Sequence, residues 1–185
     1  MPFTRRKWLS QCVAATAASG IAAAQRYAQD AVRSAAPPAF QSFDAATGAE
    51  IAALTSQIIP SDDGPGAREA GVVYFIDRAL GTFDADRRQA YQRGLAAVQK
   101  KRRELFPQSS SIATLPPAGQ MELIRAIEHT GFFALLRKHT VYGFLGDPSY
   151  GGNRGGVGWK WVGFENRMSY QPPFGYYDAQ AKGGE

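Results

Sequence analysis

From residue 44 onward, apolar residues recur every three or four positions, and nowhere do they alternate with period two for long. Asp44 is placed to cap a first helix that carries Ile51, Leu54 and Ile58 and stops at Pro60. The turn cluster Ser61-Asp62-Asp63-Gly64-Pro65-Gly66 follows. A second helix sets Val72, Val73, Ile76, Ala79 and Leu80 on one face and closes at Gly81. The third is the longest, about 84 to 106, with Asp84 as its N-cap and Tyr91, Leu95, Val98 and Leu105 as its apolar stripe. Pro107 and Ser109-Ser110-Ser111 end it, and Leu115-Pro116-Pro117 opens a fourth helix with Met121, Ile124 and Ile127 in phase. Gly131 is a break or kink, after which Phe132, Leu135, Leu136 and His139 share one side of a fifth segment. The pattern predicts an all-α fold of about five helices in a compact bundle, without an internal repeat.

The C-terminal segment is of another kind. Residues 142–177 hold Tyr142, Phe144, Tyr150, Trp159, Trp161, Phe164, Tyr170, Phe174, Tyr176 and Tyr177, which is ten of the chain's 22 aromatics. Nine Gly and three Pro lie in the same stretch, so a regular helix is not expected there. It is also too aromatic for a solvated tail. Its rings must be covered, either by this chain's own helices or by another protein, and aromatic enrichment is what an interface anchor shows.

Ahead of the bundle, residues 25–43 are rich in Ala, Ser and Pro and read as a linker to a single domain at 44–185. Residues 1–24 begin Thr4-Arg5-Arg6-Lys7-Trp8-Leu9, continue through a weakly apolar Ala-rich run, and reach Ala22-Ala23-Ala24. Paired arginines, mild hydrophobicity and a small-residue cleavage site resemble a twin-arginine export signal, which places the protein in the periplasm. Arg5 and Arg6 are the residues such a signal depends on. Cys12 lies inside it, so the remainder has no thiol, and disulfide, Cys-ligated zinc and iron–sulfur chemistry are excluded there. The whole chain carries +5. Taking away Arg5, Arg6 and Lys7 leaves +5 − 3 = +2, a bias too mild for a nucleic-acid partner.

Candidate chemistry is sparse. Asp62, Asp63 and Glu69 lack EF-hand spacing and suit turn and capping roles. His129 and His139 are ten apart, not the four of a helical metal pair. His139 falls in phase with Leu135 and Leu136, so it faces a core or a partner and is expected to be buried and hydrogen-bonded. The run Gly151-Gly152-Asn153-Arg154-Gly155-Gly156-Val157-Gly158 matches neither phosphate-cradling motif, with no strand before it and no helix expected after it. Close backbone approach in a folded loop accounts for those glycines. Lys100-Lys101-Arg102-Arg103 is expected to be a solvated helix face near a C-terminus. No Ser/His/Asp order, Cys nucleophile or paired-carboxylate motif stands out.

Two separated motifs carry a resemblance. His139-Thr140-Val141-Tyr142-Gly143-Phe144, Asp147-Pro148-Ser149-Tyr150-Gly151-Gly152-Asn153 and Gly158-Trp159-Lys160-Trp161-Val162-Gly163-Phe164 form one; Ile58-Ile59-Pro60 with Pro65 to Val72 and Phe75-Ile76-Asp77 forms the other. Together with the leader, they resemble the gluconate 2-dehydrogenase subunit 3 family over roughly 45 to 166. The resemblance implies a small subunit with no cofactor and no catalytic residues of its own. It implies a large subunit that binds FAD and oxidises a sugar or sugar acid. It also implies a possible third subunit, a multihaem cytochrome c, and so association with the inner membrane through partners. The small subunit would bring the large one through the twin-arginine translocase. On this reading the partner interface comprises His139, Thr140, Tyr150, Asn153, Trp159, Lys160, Trp161 and Phe164. Alternatives from other classes are a free-standing periplasmic enzyme using His139 and an acid, and a sugar-binding module using the aromatic loop.

Overall fold

The computed structural model describes residues 39–172, with 174, 175 and 180. The export signal with Arg5 and Arg6, the linker up to residue 38, and Tyr176 and Tyr177 lie outside the described residues. The folded unit begins at Phe40.

Helix α1 spans Ala45–Ile58, capped as expected: the Asp44 carboxylate accepts the Thr47 N–H at 2.7 Å. Ile51 and Leu54 are fully buried. Helix α2 spans Val72–Gly81, and its apolar face packs inward as the pattern predicts. Asp77 sits within that face at 2% exposure. A carboxylate there would be costly without partners, and it receives three: the N–H groups of Gln41, Ser42 and Phe43 at 2.7–2.9 Å. Phe40 stacks on Tyr74 with ring centroids 5.1 Å apart. Residues 40–43, expected to end the linker, are therefore bound into the fold.

Helix α3, Arg88–Leu105, is led by a 3-10 turn at Ala85–Arg87. Asp84 does not cap it; its carboxylate is used elsewhere, as described below. The buried stripe is Tyr91, Gly94, Val98 and Arg102, with Leu95 half-buried and Leu105 exposed. Arg102 thus departs from the expected solvated face. At 5% exposure it donates to the Gln99 side-chain oxygen at 2.9 Å and to the Ser109 carbonyl, tying the helix end to the serine loop.

Helix α4 spans Pro117–Ile127, with proline in its first turn, where no N–H is needed. Leu123, Ile124 and Ile127 are buried. Gly131 does not kink α4 but starts α5, Gly131–Leu145, whose N-cap is Thr130. This helix continues through Tyr142, Gly143 and Phe144, so the segment expected to be irregular begins inside it. Two 3-10 turns follow, Pro148–Tyr150 and Arg154–Gly156, and then a short α6, Val157–Trp161. A helix after the Gly-rich run was not expected.

The described residues form an all-α fold of six helices without a strand. The contact of α2 with α5 is the most extensive, and α1 packs on α2, α4 and α5. Ile51, Leu54, Ile76, Leu80, Ile112, Leu123 and Leu136 fill the centre at 0% exposure; each such side chain contributes about 1.5–3 kcal/mol by burial. No helix among the described residues is long and apolar enough to cross a membrane.

Candidate partner interface

The site is built on the two faces of α5. Leu136, His139, Thr140, Gly143 and Phe144 turn inward, at helical spacing. Thr140 satisfies its hydroxyl on its own helix, donating to the Leu136 carbonyl at 2.8 Å. Lys138, Val141, Tyr142 and Leu145 turn outward.

His139 is 1% exposed and joins three elements. Its Nδ1 lies 2.9 Å from the Tyr91 hydroxyl on α3, and its Nε2 lies 3.1 Å from the Asp84 carboxylate. The two partners fit a neutral imidazole whose Nε2–H donates to Asp84 while Nδ1 accepts from Tyr91. Burial pushes the His139 pKa below its ordinary value, with Lys138 and Arg87 acting the same way and Asp84 opposing. Burial, aided by Asp84, likewise keeps the Tyr91 phenol protonated. The His139 ring also stacks on Tyr91 at 5.5 Å and meets Phe75 edge-on at 6.3 Å.

The loop after α5 is clamped to that helix by its own polar atoms. The last carbonyls of a helix lack intrahelical donors. Here Asn153 supplies its backbone N–H to Gly143 O at 2.7 Å and its Nδ2 to Gly146 O at 2.9 Å. Trp159 Nε1 donates to Leu145 O at 2.6 Å. Asn153 Oδ1 in turn accepts from Gly158 N at 2.9 Å. The clamp requires backbone against backbone. A Cβ at Gly152 would overlap the Gly143 carbonyl oxygen, and one at Gly158 the Phe144 carbonyl oxygen. Asn153 itself takes a left-handed φ of 42° with 0% exposure.

This geometry divides the eight expected interface residues. His139, Thr140 and Asn153 are buried in the chain's own core and clamp, so they shape the surface without presenting it. Trp159 is half-buried and tied to Leu145. Tyr150, Lys160, Trp161 and Phe164 are exposed.

The structure adds residues not singled out for the interface. Phe83, Val141, Tyr142 and Leu145 join Phe75 and Tyr150 around a groove of about 620 Å³. Phe83 is 54% exposed and meets Tyr150 edge-on at 5.7 Å. Its sequence signal was a bulky ring alone in the polar turn Thr82-Phe83-Asp84. A second cleft of about 300 Å³ lies where Trp161 covers the Pro60–Pro65 turn. In that turn Glu69 accepts the Gly66 N–H at 2.8 Å and the Ser61 hydroxyl, and Asp62 accepts the Asp63 N–H.

The family model described as gluconate 2-dehydrogenase subunit 3 matches residues 45–165, the helices and the clamped loop together. No curated protein and no solved structure matches the chain.

Proposed function

The chain belongs to the gluconate 2-dehydrogenase subunit 3 family, a small subunit of a dehydrogenase complex, and from that premise we propose a non-catalytic docking and escort role. In this reading it binds and stabilises a large subunit that carries FAD and oxidises gluconate or a related sugar. Arg5 and Arg6 direct the pair through the twin-arginine translocase into the periplasm. A multihaem cytochrome c subunit, where present, holds the complex at the inner membrane.

The observation that carries the reading is where the exposed apolar side chains lie. Twelve large hydrophobics are at least about a third exposed among the described residues, and ten of them fall between Val141 and Phe174. Five of the twelve, Phe83, Val141, Tyr142, Leu145 and Tyr150, line one groove, and clustered apolar surface marks an interaction site whereas scattered single residues do not. Two further observations favour docking over the alternatives. His139 has both ring nitrogens engaged and almost no exposure, so it has no open route to a substrate proton. The groove is walled by rings and aliphatic groups, and Asp147 is the single charged residue among those lining it. A saccharide needs several free polar groups beside an aromatic face.

Co-expression with a FAD-type large subunit encoded beside it tests the reading. A stable flavin-containing complex is expected; two proteins eluting separately, or a lone small subunit that oxidises a sugar, would overturn it. Arg5→Lys with Arg6→Lys should hold both subunits in the cytoplasm, and undiminished periplasmic dehydrogenase activity would contradict the escort role.

A further inference from the structure

We infer that residues 40–43 act as a strap that locks the Gly-rich loop at 149–156, with Tyr74 as their shared seat, so that the order of the loop depends on whether the strap is in place. The inference concerns the free small subunit and stands without the docking reading above.

The strap is held as a bound peptide is. The consecutive N–H groups of Gln41, Ser42 and Phe43 all end on the Asp77 carboxylate of α2. Phe40 stacks on Tyr74 and packs at Gly48 of α1, where a Cβ would overlap its ring. Ser42 lies equally close to Gly81 at the end of α2. Among the described residues no backbone–backbone hydrogen bond involves 40–43. One carboxylate and one ring therefore keep the strap in place, and a segment with so few attachments opens before the helices do.

The loop is seated on the same helix. The Arg154 N–H donates to Ala70 O at 3.0 Å, just ahead of α2, and its guanidinium lies over the Tyr74 ring, 3.8 Å from the centroid. Arg154 makes no ion pair among the described residues, so that ring is where its charge is met. Its stem lies against Gly71, where a Cβ would collide with it. Arg78, one turn on from Tyr74, donates to Ser149 O at 2.8 Å. Gly151 passes close to the Tyr74 carbonyl.

Tyr74 is only half-buried, so the core alone does not fix its ring. Phe40 and Arg154 do. Without Phe40 the ring can swing, and the seat of Arg154 moves with it. A coupling of this kind is reciprocal: loosening Arg154 must loosen the strap by the same factor. Whatever frees residues 40–43 thus also loosens the loop that leads to Trp159, Trp161 and Phe164.

The test is residue-resolved hydrogen exchange on the full-length small subunit. Phe40→Leu keeps an apolar contact at Gly48 and removes the stacked ring. It should speed exchange of the Arg154 and Gly156 amides about three- to tenfold, roughly what an aromatic pair is worth, while the amides from Leu123 to Ile127 in α4 keep their rates. Arg154→Met keeps the stem and removes the charge. It should speed exchange at Gln41, Ser42 and Phe43 by a similar factor. Faster exchange at 41–43 in Phe40→Leu with unchanged rates at 154 and 156 would overturn the coupling. Should Phe40→Leu speed exchange in α4 as well, Arg154→Met decides, and unchanged rates at 41–43 in that variant would overturn it.

Discussion

Between Phe40 and Leu136 the rings mostly turn inward: Tyr91 is 2% exposed and Phe75 5%. Beyond Leu145 the order is inverted. The buried residues there are Gly152, Asn153 and Gly158, while Tyr150, Trp161 and Phe164 stand out in solvent. Phe83 is the exception in the first region, and it borders the same groove as Tyr150. The core is held by side-chain burial. The loop is held by amide and indole donors on the last carbonyls of α5, at glycines that let backbones touch. Of the loop's described rings only Trp159 is tied in by a hydrogen bond to α5, and Tyr150, Trp161 and Phe164 keep about half of their surface open to another protein.

The contrast can be broken from either side. Leu136→Ala should cost about 3 kcal/mol, the usual range for a buried leucine being ~2–5, and should lower the whole cooperative denaturation transition. Asn153→Ala should cost about 2 kcal/mol, because Gly146 O and Gly158 N lose their partners. That loss should be local: amide exchange should rise across 146–164 while α1 to α4 stay protected. A uniform rise would mean that the loop is part of the core.

The His139 junction, which joins the two regions, titrates. Its folded pKa lies below the ordinary value because of burial, whereas the unfolded chain's histidine titrates at about 6.5. The unfolded state therefore binds protons first as pH falls. The stabilisation is complete above about pH 6.5 and is lost as pH drops through the folded value. Melting temperature should decline from pH 7 to 5, and His139→Gln should flatten that slope. Burial sets the direction of the shift, Lys138 and Arg87 add to it, and Asp84 opposes it. The smallest effect is expected from Met168→Ala, within about 0.5 kcal/mol in the free subunit, because Met168 is fully exposed.

Helix existence was legible from spacing because α1, α2 and α4 each bury one continuous apolar stripe. Ends were less legible where polar groups did more than one job. Asp84 looks like an N-cap, yet a histidine 55 residues later takes its carboxylate. Arg102 sits in a basic run, but its guanidinium finds the Ser109 carbonyl and is buried. Asp77 stood in the apolar face of α2, a signal that an irregular strand of backbone would come to cover it. The family resemblance located the C-terminal motif correctly, but sequence could not sort its residues. Asn153 and Trp161 lie in the same motif, and only the folded loop shows that one is a clamp and the other is surface.

Oxidative side-chain footprinting, on the free small subunit and on its complex with the large subunit, tests the central claim most directly. The account predicts that Tyr142, Tyr150 and Phe83 lose reactivity on assembly while Tyr91 stays unreactive in both states. Equal labelling of Tyr142 and Tyr150 in the free and assembled subunit would contradict it.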